Sequence, residues 1–256
     1  MEIYIPPNIK KLIDNKPYTV DGIGLSGSKI LCFDDMVLKI EKTGEEPERE
    51  RTMMEWLKGR LPVPQILAFE RHMGSNYLLM SKVPGRMACD ESYQANPGEA
   101  VRLLAEGLKL LWAVDIKNCP CINDIENKLR QAKYRVENAL CDVDNTEPET
   151  FGEGGFASPK ELYRWLWENR PKEEPVLAHG DYCLPNLFFE KGTISGYIDL
   201  GRAGIADKWQ DIALCVRSIR HNFGTDAAYT ELFFRCLEME PDERKIRYYI
   251  LMDELF

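Results

Sequence analysis

Two aspartates and an asparagine are the residues of this sequence whose types and order could bring together a phosphate donor, a metal ion and a hydroxyl group. Asp181 and Asn186 lie five residues apart after the predicted strand Val176–Ala178, and Asp199 precedes Leu200-Gly201 at the end of a later strand. A carboxylate can orient a hydroxyl group and accept its proton. Carboxylate and amide oxygens are also the hard ligands that Mg²⁺ prefers. The three residues therefore predict phosphoryl transfer from a magnesium-bound nucleotide.

The order of these residues is that of protein kinases. Kinases carry a catalytic aspartate, a metal-binding asparagine five residues later, and then an Asp-Phe-Gly element whose aspartate also binds metal. On this pattern Asp181 orients the acceptor hydroxyl group, while Asn186 and Asp199 bind Mg²⁺. His179 and Asp211 are predicted to support the catalytic loop rather than to transfer protons.

A glycine-rich run near the N-terminus could contact phosphates. Gly22–Gly27 has the form Gly-x-Gly-x-x-Gly, and Ser26 lies within it. A dinucleotide-binding turn of this form requires a helix directly after the glycines. Here a hairpin follows instead, with predicted strands Lys29–Phe33 and Met36–Ile40. The run is therefore predicted to be a phosphate-covering loop in which Ser26 contacts ATP.

Lys39 is predicted to hold the nucleotide phosphates. It lies between apolar neighbours in a strand, as the phosphate-binding lysine of kinases does, and such a lysine is paired with a glutamate of the next helix. Of the several glutamates that follow, Glu50 precedes Met53, Met54 and Leu57 by three, four and seven residues. It therefore shares their buried helical face, and it is the predicted partner.

The pattern of predicted strands and helices indicates an α+β, bilobal, protein-kinase-like fold. Residues 1–83 are predicted to form a small antiparallel sheet with one helix, which binds the nucleotide phosphates. Residues 84–256 are predicted to form a larger, mainly helical lobe that carries the catalytic loop, the metal ligands and the acceptor site, after a linker at Ser81–Gly85. Predicted helices are Pro47–Arg60, Glu99–Ile116, Ile125–Leu140, Ser158–Trp167, Asp207–Arg220 and Pro241–Phe256.

Composition narrows the class of protein further. The chain has 44% hydrophobic and 29% charged residues, eight cysteines and a formal net charge of −9. An acidic chain argues against a nucleic-acid partner, because phosphate backbones are bound by clustered Lys and Arg side chains. No stretch approaches the roughly 20 apolar residues of a membrane span, and Met1–Pro7 does not resemble a signal peptide. We therefore expect a cytoplasmic protein with reduced cysteines, Cys119 and Cys121 being the only close pair.

Beyond the kinase pattern, the sequence resembles the bacterial aminoglycoside 3′-phosphotransferases over nearly its whole length. The segments that carry the resemblance are Met53–Leu57, Leu61–Pro64, His179–Asn186, Ile198–Gly204, Ala206–Ala213, Cys215–Arg220 and Tyr248–Phe256. The resemblance implies ATP- and Mg²⁺-dependent phosphorylation of the 3′-hydroxyl group of a polycationic aminoglycoside, which confers antibiotic resistance. It also implies a monomer or a weak dimer.

The resemblance assigns two further groups of residues. Around adenine, the backbone of Ser81 and Val83 would bond the base, and Met80 would lie behind it. The residues that correspond to the antibiotic-binding end of the family are Glu149, Arg202, Asp253, Glu254 and the terminal carboxylate of Phe256.

The charge pattern agrees with a cationic substrate. An acidic loop between two predicted helices contains Asp142, Asp144, Glu147, Glu149 and Glu153. Ammonium groups of a drug need such carboxylates as partners.

Four positions depart from the family pattern. Similar members of the family have two acidic residues where this chain has His221-Asn222, and one acidic position of the loop aligns with Thr146. Val37 occupies a place where a tyrosine can stack on adenine. We expect fewer carboxylates at the antibiotic end to weaken cation binding or to narrow the range of substrates.

Two alternatives stay open on the sequence alone. A kinase of the same fold could act on another small alcohol, although choline would call for an aromatic cage and a macrolide for a broad apolar pocket. A non-catalytic nucleotide-binding protein is the other alternative. A pseudokinase would be expected to lack one of Lys39, Asp181, Asn186 or Asp199, and this chain has all four.

Overall fold

The computed structural model describes residues 3–13, 16–21 and 28–256. The predicted phosphate-covering loop, Gly22–Gly27 with Ser26, lies outside the described residues. The chain divides into two compact units, the first made of Met1–Arg86 with Leu187–Arg202 and the second of Met87–Asn186 with Ala203–Phe256. The predicted boundary between residues 83 and 84 stays a prediction.

The first unit is built on a five-stranded antiparallel sheet in the order β1-β2-β3-β5-β4. Its strands are β1 (Thr19–Asp21), β2 (Lys29–Cys32), β3 (Met36–Lys42), β4 (Ile66–His72) and β5 (Ser75–Ser81). The predicted hairpin is confirmed, with Leu31 of β2 opposite Leu38 of β3. On β3, Met36, Leu38 and Lys39 are buried.

A helix that was not predicted, α1 (Pro7–Ile13), packs against this sheet. Ile9 and Ile13 of α1 are buried, and they belong to one cluster with residues of β2, β3 and β5. The other buried members of the cluster are Leu31, Phe33, Met36, Leu38, Tyr77 and Leu79. Burial of these side chains, worth about 1.5–3 kcal/mol each, holds the sheet that carries Lys39.

The predicted helix after β3 is confirmed as α2 (Glu45–Leu57). Glu50, Met53, Met54 and Leu57 form its buried face, as their spacing predicts. The chain leaves the helix through Gly59, whose φ of +78° is a conformation that glycine adopts without strain.

The first unit also contains a later hairpin that ends at Asp199. After β6 (Arg86–Met87), this hairpin is formed by β8 (Leu187–Glu190) and β9 (Thr193–Tyr197), and a short 3₁₀ helix, Leu200–Arg202, follows it. Gly85, with φ +91°, approaches the β8 backbone so closely that an added Cβ would lie 2.2 Å from the carbonyl oxygen of Phe189.

The second unit is mainly helical. Its helices are α3 (Glu91–Gln94), α4 (Pro97–Trp112), α5 (Ile125–Glu137), α6 (Pro159–Glu168), α7 (Lys208–Phe223), α8 (Ala227–Leu237) and α9 (Glu243–Asp253). Its two-stranded sheet pairs β7 (Pro175–Ala178) with β10 (Gly204–Asp207) in antiparallel register. Helix α7 is the buried centre of the unit, with ten buried residues between Trp209 and Ile219.

The predicted C-terminal helix Pro241–Phe256 is too long at both ends, and α8 was not predicted. Helix α9 begins after Asp242, whose side chain accepts from the N–H groups of Arg244 and Lys245, and it ends at Asp253. Within the described ranges, no helix combines the length and the apolar character that crossing a membrane requires.

Candidate active site

The first unit brings Lys39, Glu50 and Asp199 together. Lys39 Nζ lies 2.8 Å from Glu50 Oε2, 3.0 Å from Asp199 Oδ1 and 3.1 Å from Glu41 Oε1. Lys39 and Glu50 are buried, whereas the Asp199 side chain is 40% exposed. The predicted Lys39–Glu50 pair is therefore present, and Asp199 offers its carboxylate to solvent beside it.

Burial and charge act in opposite directions on this cluster. Burial alone would lower the pKa of Lys39, but Glu50, Asp199 and Glu41 raise it above its ordinary value. Burial raises the pKa of Glu50, and the ammonium group of Lys39 opposes that rise. Lys39 is therefore a permanent cation among three carboxyl groups.

Asp199 has an uncommon backbone conformation. Its φ of +57° lies in the left-handed region, which costs a non-glycine residue about 1 kcal/mol or more. The following 3₁₀ helix packs on α2, where a Cβ at Gly201 would lie 2.5 Å from Glu46 Cγ. Arg202 Nε lies 3.1 Å from Glu46 Oε1 in the same contact. The turn is thus fixed against α2, which also carries Glu50.

The predicted adenine-binding strip lies at the end of β5. Met80 and Val83 are buried, and Met80 is paired with Val37 of β3. The N–H of Ser81 donates to the carbonyl oxygen of Gln65 at 2.8 Å and is therefore already engaged. Among the described residues the N–H of Val83 has no hydrogen-bond partner.

In the second unit, the catalytic loop after β7 is held by one face of α7. Asp211 accepts hydrogen bonds from the N–H groups of His179 (2.6 Å) and Gly180 (2.9 Å). Ser218 Oγ accepts from the N–H of Leu184 at 3.0 Å. Burial raises the pKa of Asp211, and His179 opposes the rise. His179 and Asp211 therefore lie where the predicted supporting role requires them.

Asp181 and Asn186 are in direct contact within this loop. Asn186 Nδ2 lies 2.9 Å from Asp181 Oδ2, 3.0 Å from the Asp181 carbonyl oxygen and 3.1 Å from Cys183 Sγ. These bonds use the amide nitrogen and leave Oδ1, a neutral hard oxygen of the kind that Mg²⁺ accepts. Burial, with Asp181 adding to it, raises the pKa of the Cys183 thiol, which is therefore neutral.

The C-terminal carboxylates are tied to an arginine that was not predicted to have a role. Arg217 of α7 forms ion pairs with Asp253 and, at 3.4 Å, with Glu254. Glu254 Oε2 also accepts from the N–H of Glu147 at 3.1 Å. Burial raises the pKa of Glu254 to about 7, with the Glu147 N–H and Arg217 opposing.

Phe256 is held by a second arginine. Arg135 Nη2 donates to the main-chain oxygen of Phe256 at 2.7 Å, and Arg135 Nε donates to that of Leu255 at 2.6 Å. Lys128 Nζ lies 5.2 Å from the centroid of the Phe256 ring. The predicted substrate residues Asp253, Glu254 and Phe256 are thus brought together in the second unit.

The remaining predicted substrate residues are placed differently. Glu149 is exposed in the loop between α5 and α6, and Arg202 belongs to the first unit. His221 and Asn222 occupy the two positions at which the resemblance would lead us to expect acidic residues. His221 is exposed, and Asn222 Nδ2 donates to the carbonyl oxygen of Ser218 at 2.8 Å. Sequence reasoning missed Arg135 and Arg217 because their partners are far away in the chain. It also missed Cys183, although its partner Asn186 is only three residues away, because a cysteine in a loop does not by itself indicate a contact with an amide.

Comparisons with known proteins identify the family. The model of the phosphotransferase enzyme family matches residues 21–249. An aminoglycoside 3′-phosphotransferase of Enterococcus faecalis is 43% identical over 98% of both chains, and one of Staphylococcus aureus is 42% identical over the same shares.

Solved structures have the same fold. A crystal structure of a type VIII aminoglycoside 3′-phosphotransferase matches with a TM-score of 0.78 at 25% identity over 97% of both chains. The aminoglycoside phosphotransferase APH(3″)-Id of Streptomyces rimosus, in complex with ADP and streptomycin, matches with a TM-score of 0.81 at 22% identity over 97% of both chains. The predicted α+β, protein-kinase-like fold is confirmed by these structures. The chain belongs to the aminoglycoside 3′-phosphotransferase family.

Proposed function

We propose that this enzyme transfers the γ-phosphate of ATP to the 3′-hydroxyl group of an aminoglycoside, with Mg²⁺ as cofactor, and thereby confers resistance. The observation that carries the proposal is the direct contact between Asp181 and Asn186 in a loop held by α7. In this arrangement one carboxylate and one amide oxygen are fixed side by side, as an acceptor hydroxyl group and a metal ion require.

The residues of the first unit supply the nucleotide side of the reaction. Lys39 is held by Glu50 and binds the phosphates, and the carbonyl oxygen of Ser81 and the N–H of Val83 bond adenine over Met80. Asp199 and Asn186 are the metal ligands. Bound Mg²⁺ would supply positive charge that neutralises the phosphate oxygens. Lys39 is a single ammonium group among three carboxyl groups, so a divalent cation at Asp199 would add positive charge where carboxylates are in excess.

Asp181 orients the 3′-hydroxyl group and accepts its proton as the phosphorus–oxygen bond forms and ADP leaves. Asp253, Glu254 and the acidic loop that contains Glu149 provide carboxylates for the ammonium groups of the substrate, and Phe256 and Arg202 complete the substrate contacts. Because Arg217 already neutralises part of this charge, we expect the acidic loop to contribute most of the attraction.

The choice of ATP as phosphate donor is supported by the ADP found in the streptomycin-bound relative. An enzyme that consumes ATP and meets drugs on their way to the ribosome acts in the cytoplasm. The other function to be tested is phosphorylation of a different small alcohol by the same residues.

A coupled assay of ADP release across an aminoglycoside panel tests the proposal. We expect Mg²⁺-dependent turnover with kanamycin and none with tobramycin, which lacks the 3′-hydroxyl group. Choline and erythromycin represent the other acceptors. Equal turnover of kanamycin and tobramycin would contradict the 3′ assignment. Turnover of choline or erythromycin without turnover of any aminoglycoside would show that the substrate is another small alcohol.

A further inference from the structure

Cys183 lies between the catalytic aspartate and the asparagine, in a turn that main-chain bonds define. The N–H of Cys183 donates to the carbonyl oxygen of Asp181 at 2.9 Å, and the N–H of Asn186 donates to that of Cys183 at 3.1 Å. Neither bond involves the side chain at position 183. A substitution there can therefore leave the course of the backbone intact.

The thiol contacts the amide that carries the metal-binding oxygen. Asn186 Nδ2 donates to Cys183 Sγ at 3.1 Å, while Asp181 accepts through Oδ2 and through its carbonyl oxygen. A carboxamide nitrogen has two hydrogen atoms. Three acceptors lie within 3.1 Å of this nitrogen, so both hydrogens have a partner. A rotated amide would instead place Oδ1 against the oxygens of Asp181 and lose these bonds.

We propose that Cys183 is a positioning residue for the phosphoryl transfer. Its thiol accepts an N–H of Asn186, and this bond keeps the amide in the orientation in which Oδ1 faces away from Asp181 and is available to the metal ion. The inference rests on the proposed function, because it requires Asn186 to bind Mg²⁺.

The thiol suits this role because it is half-buried beside the amide, with its Sγ 3.1 Å from Asn186 Nδ2. A thiol accepts hydrogen bonds through its sulfur atom, although it is a weak acceptor.

The test compares three substitutions at one position. Cys183→Val keeps an apolar side chain of similar size but accepts no hydrogen bond, Cys183→Ala removes the group, and Cys183→Ser restores an acceptor. Cys236→Ala, at a half-buried cysteine of α8, is the matched control. Isothermal titration calorimetry measures the Kd of ADP with Mg²⁺ and with EDTA, and the ratio of the two values reports the metal-dependent part of nucleotide binding.

We expect the Val and Ala variants to reduce this ratio by roughly 3- to 10-fold, the effect of losing one neutral hydrogen bond. The Kd in EDTA should be unchanged, kcat with kanamycin should fall, and the KM for kanamycin should stay within about twofold because Asp253 and Glu254 are untouched. The Ser variant and the Cys236 control should match the wild type.

The outcomes separate this inference from the proposed function. A wild-type enzyme that binds ADP equally with and without Mg²⁺ would overturn the proposed function. A Val variant that matches the wild type, in a wild type that does depend on Mg²⁺, would overturn the role of Cys183 alone. A Ser variant as impaired as the Val variant would also overturn it, since packing rather than the acceptor would then matter. Thermal unfolding of each variant shows that the compared proteins are folded.

Discussion

Lys39 of β3 and Glu50 of α2, eleven residues apart in the chain, form a buried ion pair with 2.8 Å between Nζ and Oε2. The pair joins the central strand of the sheet to the only long helix of the first unit's described residues. Because both groups are removed from water, each depends on the other for its charge.

Replacing Glu50 with Gln should destabilise the protein and weaken nucleotide binding. Removing one member of a buried pair costs about 3–5 kcal/mol, and we expect about 3 kcal/mol because Lys39 retains Glu41 and Asp199. Urea unfolding measures the free energy, and steady-state kinetics should show a raised KM for ATP. Glu45→Gln, at a side chain 74% exposed on the same helix, should change the free energy of unfolding by less than about 0.5 kcal/mol. Equal effects of both substitutions would contradict the assignment.

Replacing Asp181 with Asn should abolish most of the turnover while nucleotide binding is kept. The carboxamide has the same shape but accepts no proton, and loss of a general base costs about 10²- to 10⁴-fold in kcat. The Kd of MgADP should change little, because Asp181 is assigned to the acceptor hydroxyl group. Activity within tenfold of the wild type would rule out Asp181 as the base. Asp34→Asn, at the exposed turn between β2 and β3, is the control.

The stability of the protein should fall between about pH 4.5 and about pH 7 through Glu254. Burial raises its pKa from 4.5 to about 7, so within this window the folded state binds a proton that the unfolded state has released. The stability that protonated Glu254 contributes is fully present below pH 4.5. It is lost as the pH rises through the folded-state pKa of about 7. The contribution is on the order of 3 kcal/mol, at about 1.4 kcal/mol for each pKa unit between the two values.

The substitution Glu254→Gln isolates this effect. Urea denaturation at pH 5 and at pH 8 measures the free energy of unfolding of both proteins. From pH 5 to pH 8 the wild type should lose stability relative to the variant, by about the contribution of Glu254. A difference that does not depend on pH would show that Glu254 is ionised throughout.

Replacing His221 with Glu should strengthen binding of cationic substrates. The side chain is exposed four residues after Arg217 in α7, at a position where the resemblance to the family leads us to expect an acidic residue. An added carboxylate should lower the KM for kanamycin about threefold at low salt, with little change in kcat. The gain should disappear in 0.5 M salt, and a gain that survives would exclude simple charge attraction.

Much of the site follows from local patterns. Helical phase selected Glu50, and the structure buries it on the face that Met53, Met54 and Leu57 define. The five-residue spacing of Asp181 and Asn186 predicted a shared loop, and the two side chains are in contact. These predictions succeed because each depends on residues that are close in sequence.

The missed features depend on residues far apart in the chain. Arg217 meets Asp253 across 36 residues, and Arg135 meets Phe256 across 121, so neither arginine differs locally from a solvated one. Helix α8 was missed although Asp226 caps it, because its buried residues, Phe233, Phe234 and Leu237, are confined to its second half. The apolar sequence of Tyr248–Phe256 extended the predicted α9, whereas the chain turns after Asp253.

Helix α7 contacts the catalytic loop at two levels along its axis. Gln210 and Asp211 make the first contact near the start of the helix, and Ser218 makes the second about two turns later. An α-helix advances about 100° per residue. Inserting one residue between Asp211 and Ser218 would therefore rotate Ser218 and Arg217 away from their partners while Asp211 stayed in place. Single substitutions along this face remove one contact at a time, but a change of length would lose register with the loop and the C-terminus at once. Contact with the catalytic loop thus constrains the number of residues between Asp211 and Ser218, and not only the identity of these residues.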